Sequence, residues 1–133
     1  MKLPPTVIET SCYLKEINAT DRYTAYGNFL DRFRSYDKEN EGRDIQQYII
    51  KDKPAGNNFF PVDMAKIAAT VEVLARERNL KIPKWVYDED CFLKDSYYGD
   101  AKNPEYRKFL KETSIPEFRK RNLFLGDNCM SRA

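Results

Sequence analysis

Histidine is absent from all 133 residues, and that absence removes more chemistry than any other feature of the chain supplies. Without an imidazole there is no Ser-His-Asp or Cys-His arrangement and no His-containing zinc site. The side chain that most often serves as a general base near neutral pH is also missing. Glycine is scarce, at five, and neither G-x-x-x-x-G-K-[ST] nor G-x-G-x-x-G occurs, so the two common phosphate-cradling loops are excluded. The three cysteines, Cys12, Cys91 and Cys129, are widely spaced and form no C-x-x-C pair. Free, buried thiols in a reducing cytosol are the expectation. No apolar run approaches the ~20 residues that cross a bilayer. The opening MKLPPT has no apolar stretch of the kind a signal peptide needs. These absences point to a cytoplasmic protein with no membrane association, no cofactor, no bound metal and no catalytic constellation.

What is present fits one folded domain. Hydrophobic residues at 41% against charged residues at 33% supply enough apolar surface to exclude wholesale disorder. A chain of this size hides roughly two-thirds of its unfolded surface without staples. Nine Tyr and eight Phe against one Trp suggest a wet-edged core or a binding surface, because Tyr combines an apolar ring with a polar tip. The net charge of +2 lies far from the strong positive bias of a dedicated nucleic-acid binder, although the chain from Lys102 onward is net basic.

Periodicity predicts helices. Pro4-Pro5-Thr6 leads into a first one, with Val7, Ile8, Cys12, Leu14 and Ile17 along one face. Thr20 or Asp21 suits the cap of a second. There Tyr23, Tyr26, Phe29, Leu30 and Phe33 recur at spacings of three and four, a stripe that suits the core better than an interface. Asp37 to Arg43 reads as a loop, followed by a short helix with Ile45, Tyr48 and Ile49 inward. Lys51 to Pro61 reads as a long connection anchored by Phe59 and Phe60. From about Val62 to Asn79, Met64, Ile67, Ala68, Val71, Leu74 and Ala75 repeat at helical spacing. Asn79 is a suitable left-handed cap there, and Leu80 and Pro83 end the helix. Trp85, Val86, Phe92 and Leu93 should pack over its end. Asn103-Pro104-Glu105 opens a short helix carrying Tyr106, Phe109 and Leu110. Ser114-Ile115-Pro116-Glu117 opens another, with Phe118 inward and Arg119, Lys120 and Arg121 outward. Leu123 to Leu125 extends that helix or forms a short extended segment. The fold class expected is all-α with at most a short strand pair, a single-domain multi-helix bundle over 1–133. Residues 1–60 supply N-terminal helices and a loop around a core formed by 61–133.

Three charged features could carry chemistry. Asp88-Glu89-Asp90 could bind a divalent cation, but adjacent positions do not converge, and a solvated acidic turn explains them better. Glu9 with Glu16, or Asp31 with Asp37, could be an acid/base pair, yet nothing places either pair in a pocket. Arg107, Lys108, Lys111, Arg119, Lys120 and Arg121 could form a basic patch that meets phosphates or an acidic protein surface. The acids between them, Glu105, Glu112 and Glu117, weaken its field, and keeping two helices soluble is the plainer use.

The string from Ile82 to Ala133 contains IPKWVYDEDCFLKDSYY, then PEYRKFLKETSIPEFRKRNLFL, and MSRA at the end. It resembles the C-terminal segment of uncharacterised bacterial proteins and of regulators with an appended helix-turn-helix domain. The shared pattern is an Ala-rich helix, P-x-W, L-x-x-x-[YWF], then T-x-x-P-x-F-R-x-R-N-[ILV]-x-[ILV]. Pro83, Trp85, Leu93, Tyr97, Thr113, Pro116, Phe118, Arg119, Arg121, Asn122, Leu123 and Leu125 occupy its positions. The resemblance implies a place in a toxin–antitoxin-type or mobile-element locus, beside a nucleotidyltransferase-like or other toxin partner. It also implies a partner-binding role without enzymatic activity. The first sixty residues depart from the regulators, because neither a tight turn nor a basic recognition helix is visible.

Two uses follow as expectations. The first is an antitoxin-like or accessory protein that occludes a partner with an apolar, Tyr-bearing face rimmed by basic helices. The second is a nucleic-acid-associated transcriptional regulator acting through the basic C-terminal helices. A carboxylate-based, metal-dependent enzyme is a more distant third. Within the motif, Arg119 and Arg121 diverge on a helix but share a side if the chain becomes extended. In the extended case they could brace an internal carboxylate or present a forked anion site, and an internal structural pair is the plainer use.

Overall fold

The computed structural model describes residues 22–53 and 61–130. The expected first helix from Thr6, the caps at Thr20 and Asp21, Glu9, Glu16 and Cys12 lie outside these residues, as do Phe59 and Phe60. Five α-helices follow in order: α1 (Arg22–Ser35), α2 (Gly42–Ile50), α3 (Pro61–Glu77), α4 (Pro104–Thr113) and α5 (Pro116–Arg119). Short 3₁₀ turns lie at Tyr36–Lys38, Lys84–Tyr87 and Glu89–Cys91. Among the described residues there is no strand, and one isolated parallel bridge joins Tyr97 to Leu123. The all-α expectation is met.

The central helix is α3, and it is wrapped more completely than a one-faced pattern implies. Every residue from Asp63 to Ala75 except Lys66 is buried. Ala65, Ala68, Ala69 and Ala75 are fully inaccessible, and their small side chains let neighbours approach on several sides. Its C-terminus closes as the sequence predicts. Asn79 takes a left-handed φ of 56°, and the Leu80 N–H reaches back to the Ala75 carbonyl at 2.9 Å, which satisfies an otherwise orphaned acceptor.

Tyr23 lies outside the described side chains, and the rest of the expected stripe of α1 faces the core. Tyr26, Phe29, Leu30 and Phe33 are buried, and the Tyr26 hydroxyl meets Thr70 of α3 at 2.6 Å. Helix α2 starts inside the predicted loop, at Gly42, where a β-carbon would lie 1.8 Å from the Tyr36 carbonyl oxygen. Only glycine lets the chain turn this tightly. Trp85 is buried and donates its indole N–H to the Ile50 carbonyl at 3.0 Å, which ties the turn after α3 to the end of α2.

Candidate functional site

The C-terminal segment from Pro116 to Leu125 does not continue as a helix past Lys120. Arg121 and Leu123 both donate their N–H groups to the Phe118 carbonyl at 3.0 Å, with Asn122 in a left-handed conformation (φ 64°) between them. This reversal turns Arg121 into the protein, which corrects the expectation that it points outward. Its side chain is fully buried. One terminal nitrogen donates to Glu72 Oε1 at 2.6 Å and to the Glu117 carbonyl at 2.8 Å, and the other donates to the Val86 carbonyl at 2.8 Å. The guanidinium lies 4.8 Å from the Phe92 ring centre. One side chain thus fastens α5 and the 84–87 turn to the middle of α3.

Glu72 is the other half of this lock, and periodicity gave no sign of it. Its Oε2 accepts hydrogen bonds from Lys120 Nζ and from the Tyr87 hydroxyl, each at 2.6 Å. Burial opposes its charge, yet the hydrogen bonds from Lys120, Tyr87 and Arg121 outweigh that opposition, and its carboxyl is lowered from the ordinary value. The same bond to Glu72, helped by burial, pushes the Tyr87 hydroxyl up to about 12. Arg76 pairs with Glu117 alongside. Both carboxylates of this cluster are held by cations, Glu72 by Lys120 and Arg121 and Glu117 by Arg76, as in a structural ion-pair network.

The other sequence candidates divide in the same way. Asp37 is gripped by Arg78 (2.8 Å), Gln46 (2.8 Å) and Arg43 (2.7 Å). The Arg78 bond, above all, holds its carboxyl well below the carboxylate range. This clamp leaves Asp37 unsuited to acid/base work. Asp88 and Asp90 both accept from Lys53, at 3.1 and 2.8 Å, so the acidic run is partly neutralised and joins the end of α2 to the 3₁₀ turns. Among the described residues no three His, Cys, Asp or Glu side chains converge as metal ligands, and no helix is long and apolar enough to cross a membrane. Burial raises the Cys91 and Cys129 thiols to about 11, so both are protonated at neutral pH.

Helix α4 is the most exposed of the helices around this cluster. Asn103 caps it as predicted, its Oδ1 accepting from Glu105 and Tyr106 N–H at 2.8 and 3.1 Å, and Pro104 occupies the first turn. Only Leu110 of its ten residues is buried. Arg107 and Lys111, one turn apart, lie over the rings of Tyr98 (4.8 Å) and Phe124 (6.0 Å), which are themselves stacked at 5.1 Å. Two members of the predicted basic set therefore help dock α4 while keeping their charged ends exposed. On the opposite flank Tyr106 and Phe109 stack on each other at 6.2 Å and are 53% and 56% exposed. Lys108 and Arg119 are exposed, and Lys120 is exposed but committed to Glu72. Of the six candidate residues, Arg107, Lys108, Lys111 and Arg119 stay at the surface with Lys120 held beside them, and Arg121 leaves it. The stacked aromatic pair is the feature that sequence reasoning underweighted. Its i, i+3 spacing was visible, but only the shallow seating of α4 exposes it.

Three of the motif positions, Leu93, Tyr97 and Asn122, are joined by hydrogen bonds. Tyr97 N–H donates to the Asn122 carbonyl and Phe124 N–H to the Tyr97 carbonyl, both at 2.8 Å, and Asn122 Nδ2 reaches the Leu93 carbonyl at 2.7 Å. Comparison with protein-family models, with curated proteins and with solved structures finds no match.

Proposed function

We propose that the chain is a protein-interaction module of the bacterial cytoplasm. In this reading it is the antitoxin-like or accessory member of a two-gene system, and it acts by covering a surface of its protein partner. The observation that carries this reading is the stacked, half-exposed pair Tyr106–Phe109 on a helix that buries one residue of ten. A half-exposed aromatic forgoes part of the ~1.5–3 kcal/mol that full burial supplies, and adjacent ones mark contact surfaces more often than scattered ones do. Aromatic residues ringed by charged neighbours are also typical binding hot spots. The carboxylates of Glu72 and Asp37, each held by two cations, fit a scaffold for such a surface better than a catalytic centre. The resemblance of residues 82–133 to toxin–antitoxin-associated proteins suggests where the partner is encoded.

Co-expression with the product of the adjacent gene tests this. A complex that co-elutes, and that Tyr106→Ala with Phe109→Ala weakens at least a hundredfold while the thermal midpoint stays unchanged, is the expected result. A chain that elutes alone beside its neighbour's product overturns it. Nucleic-acid binding is the weaker alternative, since Arg121 is buried and Lys120 is paired with Glu72.

A further inference from the structure

A second surface lies where the start of α3 faces residues 89–97. They enclose an open cleft of about 750 Å³, within the range of sites that hold ligands and peptide segments. Among its described lining residues, apolar Val62, Met64, Phe92, Leu93 and Tyr97 lie beside Glu89, Asp90 and Asp95, with Lys94 the one cation. Asp90 is committed to Lys53 at 2.8 Å. The carboxylates of Glu89 and Asp95 engage no partner among the described residues. The backbone adds a third feature. Leu93 and Tyr97 are tied to the Arg121 and Asn122 carbonyls, but no hydrogen bond within the described residues engages the N–H or C=O groups of Lys94, Asp95 or Ser96.

An apolar lining, together with carboxylates and backbone groups that are unengaged among the described residues, defines the occupant's chemistry. Apolar side chains meet the lining and cations answer Glu89 and Asp95. An extended main chain supplies the donors and acceptors that the 94–96 bend lacks. Phosphate-bearing polymers are repelled by these carboxylates. We infer that the cleft receives an extended segment of the protein partner in which apolar residues are flanked by Lys or Arg. The inference rests on the reading that this chain acts through a protein partner, and it makes the contact two-sided, with α4 presenting aromatics and the cleft receiving a basic, apolar strand.

Three capped tetrapeptides serve as probes: phenylalanine-leucine between two arginines, the same pair between two glutamates, and two glycines between two arginines. Titration into the full chain, followed by methyl NMR, should move the Val62, Met64 and Leu93 signals with the first peptide only. Glu89→Lys with Asp95→Lys should weaken that peptide about tenfold and admit the glutamate-flanked one. Equal binding of the two charged apolar peptides to the wild type, or no shift at millimolar concentration, overturns the inference. The co-expressed complex separates the two ideas. If Glu89→Lys with Asp95→Lys leaves the complex intact while Tyr106→Ala with Phe109→Ala breaks it, the cleft inference fails and the interaction reading stands. If the wild type forms no complex, the interaction reading fails, and the peptide titration still decides what the cleft binds.

Discussion

Glu72 sits mid-helix with its side chain 6% exposed, facing a guanidinium with no exposure at all. Taking two charges out of water is costly, so such a pair adds little net stability over a well-packed apolar pair, yet breaking it from one side strands a buried charge. Glu72→Gln should therefore destabilise the fold by about 3–5 kcal/mol in urea titrations, and Glu72→Met with Arg121→Met should recover most of that loss. A double variant as unstable as the single one would show that Arg121 acts mainly through its carbonyl contacts. Acid should expose the same pairing. Glu72 and Asp37 are both lowered in the fold, so their contribution is complete above the ordinary carboxylate range. It is lost as pH falls through their folded values. The thermal midpoint should be flat above about pH 5 and fall below about pH 4, and Asp37→Asn should make that fall shallower.

Helices were readable in the sequence where a single rule governed them. The 3.6-residue period placed α3 to within two residues, Asn103-Pro104 placed the start of α4, and Asn79 placed the end of α3, because periodicity and caps are local properties. Arg121 was readable only as an alternative, the brace of an internal carboxylate that an extended chain allows. Helical projection sends it outward with Arg119 and Lys120, and only the left-handed Asn122 and the doubly used Phe118 carbonyl turn it in. Glu72 was invisible for a related reason, since an acid on a long helix is assumed to be solvated unless a distant Arg is known to face it. The exposure of Tyr106 and Phe109 likewise depends on how shallowly α4 is seated, which no local pattern encodes. Two substitutions test elements singly. Gly42→Ala forces a β-carbon onto the Tyr36 carbonyl and should cost about 2–3 kcal/mol in global stability. Asn103→Ala removes the acceptor for two N–H groups and should cost about 1 kcal/mol. It should be read as faster amide exchange at Glu105 and Tyr106, with the amides of α3 unchanged.

Across the whole molecule, 23 basic and 21 acidic residues leave a net charge of +2, and two of the three cations on α4, Arg107 and Lys111, lie over rings. A surface of this kind gains affinity from aromatic burial at close range and little from long-range attraction. A nucleic-acid binder works the other way. It neutralises several phosphates, and releasing their counterions makes its affinity fall about a thousandfold or more between about 50 and 200 mM salt. The two functional readings therefore separate without a structure of any complex. Binding to the protein partner, followed by calorimetry over that salt range, should weaken less than about tenfold. It should also show a negative heat-capacity change from the buried aromatics. A steep logarithmic salt slope, with retention on duplex or single-stranded nucleic acid at low salt, would transfer the function to the exposed cations Arg107, Lys108, Lys111 and Arg119. Tyr106 and Phe109 would then be left as bystanders.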